Sequence, residues 1–333
     1  YHMKKIVFIF LSIFSSIILL EFLSRFVGVS PWQYAESDNP IIYESDESLG
    51  WKAKEGSYLI NLKSSPKSKM RISIGEKGNR LSGRANLNPK NPSIIFIGGS
   101  FTQGWGINDQ DTFASKIQDY YKDFYVYNFA QAGYGGVQSL ATLDQQIKQI
   151  KQTKLVVYGF IEHHEYRNVA RSSWLATLSK YSRRGYSENP KIPYATIDEN
   201  DNLKIYPPIS YLHLPLREKS AIITLIEKVY MKQISRKRKE FQKPVTKRII
   251  LEMSEISKKN DSEFLVVILD WSNNFSNNEY KNYLKSKNIN YVDCKISLNE
   301  ATLVPGDYHP NGKGHSLYKD CINSFIIEKN LLF

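Results

Sequence analysis

The sequence predicts a three-layer, doubly wound α/β domain around a parallel five-stranded sheet, preceded by one membrane-spanning helix. Three observations carry this reading. Five short runs are rich in β-branched and aromatic residues and bounded by turn formers: SIIFIG (93–98), FYVYNF (124–129), LVVYGF (155–160), FLVVIL (264–269) and INYVDC (289–294). Continuously apolar runs of that length suit strands covered on both faces. Between them lie amphipathic stretches of helical spacing: DTFASKIQDYY (111–121), GVQSLATLDQQIKQI (136–150), VTKRIILEMSEISKKN (245–260), NNEYKNYLKS (277–286) and GKGHSLYKDCINSFIIEK (312–329). Such alternation places helices on both faces of a parallel sheet. The third observation is an apolar N-terminus.

There, Lys4 and Lys5 precede IVFIFLSIFSSIILL, an uncharged run from Ile6 to Leu20, and EFLSRFVGV extends it with only Glu21 and Arg25 charged. Met3 reads as the native start behind Tyr1 and His2. A bilayer core takes roughly 20 apolar residues of helix, so Ile6 to Val29 suffices with Glu21 and Arg25 at headgroup level. The alternative is a cleaved signal peptide, but no small-x-small site follows Leu20 and there is no lipobox cysteine. Residues 4–29 therefore read as an uncleaved signal anchor. The basic flank keeps the short N-terminus inside and exports the rest, which predicts a single-pass protein of the cytoplasmic (inner) membrane with an extracytoplasmic main domain.

Residues 30–90, rich in Ser, Asn, Lys, Gly and Pro, read as a stalk with irregular β structure, including SYLINL and MRISIG, that packs on the main domain. Residues 91–333 form that domain. Its alternation stops at about 170–243, an insertion with a hairpin-like IPYATIDENDNLKIYPP (192–208) and a helical stretch (217–241), read as a cap or substrate wall. The net charge of +12 comes mostly from scattered Lys, with one dense run, KQISRKRKEFQK (232–243). That run is a solvated helix face or, on a sharper reading, a patch facing anionic lipid or acidic glycan. Export argues against nucleic acid as a partner. Cys294 and Cys321 fit no metal spacing and form either a disulfide or two buried thiols.

Open α/β sheets place their sites at the carboxyl ends of strands. The first run ends in Gly98-Gly99-Ser100-Phe101-Thr102, a serine on a tight turn into a helix, with backbone N–H groups near its hydroxyl. No Gly-Lys-Ser/Thr follows, which excludes a Walker loop; an N-cap serine is the structural alternative. The second run ends in NFAQAGYGG (128–136), where Gly133 can bring its N–H into the same cleft. The third ends in GFIEHHEYRN (159–168), with His163 and His164 between Glu162 and Glu165. No further ligands stand at usable spacing, so no metal is expected. The last motif, GDYHPNGKGH (306–315), holds Asp307 and His309 two apart before a helix start. A carboxylate on the Nδ1 side of a histidine fixes its tautomer and stabilises the imidazolium formed when serine gives up its proton. His315 falls inside the helix and His213 has no evident partner.

This set resembles the SGNH (GDSL-like) hydrolase superfamily over residues 93–329, the insertion excepted. The resemblance implies a flavodoxin-like sheet, Ser100 as nucleophile, His309 as base, Asp307 as acid and Gly133 as an oxyanion donor beside the Ser100 N–H. Gly99 stands where the family has Asp. The third-block asparagine is missing: by register His163 takes its place, with His164 one step on, and Asn168 would need a bulge to reach. The acid and base stand as D-x-H, the spacing of extracytoplasmic members that acetylate polysaccharides. The reaction implied is double displacement through an acyl-serine, without cofactor. It makes the protein an esterase or deacetylase acting on an extracytoplasmic glycan or lipid ester. The alternatives are an O-acyltransferase for an envelope polysaccharide, supplied by a multi-spanning membrane partner, and a non-catalytic scaffold on a degenerate fold. Trp174, Tyr181, Tyr186, Tyr194, Tyr206 and Tyr211 could stack on sugar rings, or simply be core.

Overall fold

The computed structural model describes residues 2–65, 68–85, 87–181, 189–270 and 277–332. Helix α1 (His2–Phe26) is long and apolar enough to cross a membrane, and among the described residues nothing covers its apolar stretch. Two antiparallel pairs follow, β1 (Tyr43–Asp46) with β2 (Gly50–Ala53) and β3 (Gly56–Asn61) with β4 (Lys69–Ile74). In β4 the period of two puts Met70, Ile72 and Ile74 inward and Lys69 and Arg71 outward. Trp51, Ile60, Met70 and Ile72 share a core with Tyr134, Leu175 and Val304 of later segments. Arg80 completes the junction: fully buried, it pairs with Asp109 at 2.9 Å and donates to the carbonyls of Gln103, Gly104 and Ile107.

The α/β unit runs β5 (Ser93–Gly98), α2 (Ser100–Gln103), α3 (Phe113–Tyr120), β6 (Tyr125–Asn128), α4 (Gly136–Ile147), β7 (Thr153–Ile161), α5 (His164–Asn168) and α6 (Ser172–Lys180). The hairpin β8 (Ile192–Ile197) and β9 (Leu203–Ile209), then α7 (Ala221–Lys239), fill the insertion. Then come α8 (Gln242–Lys259), β10 (Glu263–Asp270), α9 (Asn277–Ser286), β11 (Asn290–Asp293) and α10 (Gly312–Glu328). The five strands expected from the apolar runs form one parallel sheet in the order β6-β5-β7-β10-β11.

Alternate side chains of those strands face opposite helical layers. Ile95, Val156, Tyr158 and Val266 pack on α4, α8 and α9, whereas Ile94, Val157, Leu265 and Val267 pack on α3 and α10. Both faces are apolar, which is why the runs do not alternate. The chain leaves β5 for one neighbour and returns on its other side, so the strand order reverses at β5. A cleft opens at such a switch point, beyond the carboxyl ends of the strands. Cys294, just past β11, is disulfide-bonded to Cys321 of α10, resolving the alternative left open by the sequence.

Candidate active site

Ser100 is the first residue of α2, directly after β5, with Gly99 as an extended N-cap. A Cβ on Gly99 would come within 2.9 Å of His164 Nε2 and 3.4 Å of an Arg167 guanidinium nitrogen, so the turn has no room for the aspartate of the GDSL pattern. Arg80 fixes the other end of this turn of helix through the Gln103 and Gly104 carbonyls.

The loop before α10 brings in the second group. Val304 N–H donates to His309 O and Asp307 N–H to Val304 O, closing a tight turn, while the Asn311 side chain accepts from Lys313 and Gly314 N–H and starts the helix. Asp307 Oδ1 accepts from the His309 backbone N–H at 3.0 Å and lies 2.5 Å from His309 Nδ1. The proton is thereby placed on Nδ1, leaving Nε2 as an acceptor 2.8 Å from Ser100 Oγ. Burial alone would raise the Asp307 pKa, but the His309 hydrogen bond and charge and the Ser64 hydroxyl outweigh it and hold the carboxyl at about 2. Ser64, between β3 and β4, donates to Asp307 Oδ2 at 2.5 Å.

Gly133 lines the same cleft as Ser100. Its φ of +83° and the closeness of Trp51, 3.0 Å from where a Cβ would stand, both require glycine. The turn is clamped to β2, since Trp51 Nε1 donates to Ala132 O and Tyr134 Oη to Trp51 O. Among the described residues, neither the Ser100 nor the Gly133 backbone N–H has a hydrogen-bond acceptor.

At the end of β7 the two histidines part. His163 lines the cleft; desolvation by its walls, then the Arg167 charge, lowers its pKa to about 4. His164 does not reach the cleft: it is fully buried, with Nδ1 2.6 Å from Tyr158 Oη and Nε2 beneath the Gly99 turn. The helical turn of α5 starts at His164 and rotates it away from its neighbour. Asn168 caps α4, accepting from Gly136 and Val137 N–H, and is likewise remote from the cleft. Glu165 accepts from Tyr280 Oη. Among the described residues no group of three His, Cys, Asp or Glu is placed to hold a metal ion. His315 is buried in α10 and accepts the Phe113 N–H through Nδ1, and His213 is exposed in the insertion beside Asn189.

Arg167 is not among the residues picked out on sequence grounds. It is buried on the cleft wall, donates to Tyr134 O at 2.9 Å and stacks over Trp174 at 4.4 Å. Nε has no partner, and among the described residues no carboxylate pairs with it. A cationic residue one helical turn beyond His163 was the available signal. The cleft measures about 850 Å³ and is also lined by Trp105, Tyr166, Trp174, Tyr181 and Tyr308. Of the other aromatics singled out in the insertion, Tyr194 and Tyr206 stack on each other at 4.8 Å and Tyr211 packs on Trp32, whereas Tyr186 lies outside the described residues.

No protein-family model matches the chain, and no curated protein matches it. Solved structures do align with it. TesA aligns at 10% identity and a TM-score of 0.43, over 72% of this chain and 99% of its own. A protein assigned to the lipolytic G-D-S-L family from Desulfitobacterium hafniense aligns at 13% and 0.39, over 71% and 99%. A member of that family from Veillonella parvula aligns at 10% and 0.37, over 71% and 96%. At these levels the chemistry is read from the cleft's own side chains.

Proposed function

We propose that this chain is a membrane-anchored serine hydrolase of the SGNH type that cleaves an extracytoplasmic glycan or lipid ester through an acyl-serine. The observation that carries it is the unbroken contact chain Asp307–His309–Ser100 at the mouth of the sheet's switch point. His309 Nε2 takes the Ser100 proton as Oγ attacks the ester carbonyl, and Asp307 stabilises the resulting imidazolium. The N–H groups of Ser100 and Gly133 receive the oxyanion. His309 then protonates the leaving alcohol, and the acyl-serine is released by the reverse sequence with water as nucleophile. The third donor comes from the turn after β7, where we assign the role to Arg167. It lies beside the Gly99 turn and is permanently charged, whereas His163, its pKa lowered to about 4, stays neutral.

Helix α1 supports the anchor, and the flanking Lys4 and Lys5 favour a cytoplasmic N-terminus. The Cys294–Cys321 disulfide fits an oxidising compartment. The aromatic-lined cleft favours a sugar acceptor as a second outcome, in which a glycan hydroxyl replaces water and the protein acts as an O-acyltransferase, supplied by a multi-spanning membrane partner.

The test is hydrolysis of p-nitrophenyl acetate by the full chain in detergent, with and without added oligosaccharide. Wild type should turn over and carry a fluorophosphonate adduct on Ser100, and Ser100→Ala and His309→Ala should do neither. Turnover that survives Ser100→Ala removes the nucleophile assigned here. An unreactive, folded wild type leaves a scaffold. An acylated sugar product selects the transferase.

A further inference from the structure

Helix α7 buries one side only. Ala221, Thr224, Glu227, Met231 and Ser235 are covered, at the spacing of a single helical stripe. The opposite arc is mostly apolar and uncovered: Leu225 is 36% exposed, Ile226 48%, Val229 60%, Tyr230 53% and Ile234 42%, with Gln233 and Lys237 the polar residues near its C-terminal end. Along its edge run Lys228, Lys232, Arg236 and Lys239. The one acid in α7, Glu227, is fully buried and pairs with Arg217 at 3.2 Å, so the exposed surface of this helix carries no negative charge.

The start of α7 is tied to the end of α1. Glu21 accepts from Ser220 Oγ at 2.8 Å and from the backbone N–H groups of Ala221 at 2.9 Å and Ile222 at 3.1 Å. Arg25 pairs with Glu21 at 2.7 Å and donates to Lys219 O. A carboxylate and a guanidinium at the end of an apolar run settle at headgroup level, because the hydrocarbon core excludes them. The first turn of α7 is held at that same level.

We infer that α7 lies along the bilayer surface, with its exposed apolar arc in the acyl–headgroup boundary and its lysines and arginine on anionic lipid phosphates. The inference rests on α1 spanning the membrane. Standing upright, a helix of this length would carry its apolar arc roughly 28 Å into water at 1.5 Å per residue. Lying flat, it removes the whole arc from water, in the manner of an interfacial amphipathic helix. A second copy of the chain is a poor cover, since two such faces bring like charges together.

The full chain, reconstituted at one copy per lipid nanodisc, tests this. Cysteines introduced singly by Val229→Cys, Phe14→Cys and Lys259→Cys accept an environment-sensitive dye, the native pair being tied in a disulfide. In discs containing phosphatidylglycerol, dye at 229 should emit blue-shifted and lose intensity to a lipid spin-labelled near its headgroup. Dye at 14 should respond to a label deep in the acyl chains, and dye at 259 should stay aqueous. Lys228→Gln, Lys232→Gln and Arg236→Gln together should shrink the shift at 229. An aqueous signal at 229 with 14 deeply inserted overturns the inference, and so does a shift equal in purely zwitterionic discs. Protection at 229 only when two copies share a disc also overturns it and assigns the face to a second chain. An aqueous signal at 14 instead refutes the membrane span on which the inference rests.

Discussion

Ser64 Oγ and Asp307 Oδ2 are hydrogen-bonded at 2.5 Å although 243 residues separate them. The carboxylate that orients His309 is thus held from two sides, by the histidine on one oxygen and by the N-terminal β segment on the other. The fit is close, since a Cβ on Gly306 would collide with Ser64 O at 2.3 Å. Ser64→Ala should lower kcat about tenfold, the worth of one hydrogen bond to a charged group, with KM and Tm near wild type. Asp307→Asn, which disturbs the tautomer itself, should cost about 10⁴-fold. Steady-state kinetics on an activated ester separate the two.

Arg167 and His163 make opposite predictions. Arg167→Met should lower kcat about 100-fold with little change in KM, as expected for a donor that acts in the transition state. Arg167→Lys should recover part of that loss, and circular dichroism should show both variants folded. His163→Ala should leave kcat within about threefold of wild type; a 100-fold loss there would transfer the oxyanion role to it.

The buried His315 makes stability depend on pH. Burial first, then the positive charges of Arg80, Lys116 and His309, lower its pKa to about 3, whereas in the unfolded chain it titrates near about 6.5. Between those values the unfolded state binds more protons, so stability is full above about 6.5 and falls as pH drops towards 3. His315→Asn, which can still accept the Phe113 N–H, should flatten the dependence of Tm on pH across that window. Asp307 adds a second loss, between about 4, its unfolded value, and about 2, its folded value.

The Cys294–Cys321 bridge closes a loop of 27 residues that spans the Asp307–His309 loop and the start of α10. Cys321→Ser should destabilise by about 3.5 kcal/mol, on the loop-entropy account. Reductant should lower the Tm of wild type to that of the variant. A Tm unmoved by both treatments would show that the bridge carries no stability.

Arg80 links the N-terminal segment to the helical turn that starts at Ser100. Arg80→Met leaves Asp109 buried without its cation and frees two carbonyls at the end of α2. The expected cost is about 3–5 kcal/mol by urea unfolding. Asp109→Asn in the same background should return part of it.

The sheet was legible because strands buried on both faces need continuous apolar residues: SIIFIG and FLVVIL carry that pattern without help from the rest of the chain. The long apolar N-terminal helix was legible too, since Ile6 to Leu20 has no charge to misread. Ser100, Asp307 and His309 stood out because a serine after two glycines and an acid two before a histidine are local patterns at element ends. Ser64, Trp51 and Arg80 could not be read this way. Each acts on a partner distant in sequence, and a lone serine or arginine in a polar segment has no pattern of its own. Adjacency misled in one place: His163 and His164 are neighbours in sequence, but a helix start turns one into the cleft and the other beneath the Gly99 turn.

By itself the sequence determined which segments must be covered and which residue types end up at the strand ends, because burial and turn formation are decided over a few residues. Tertiary structure alone decided which of those ends meet. Hydrogen bonds and steric fit operate over about 3 Å, and only the packed chain brings Ser64 to Asp307, His309 to Ser100 and Arg167 to the Tyr134 carbonyl at that range.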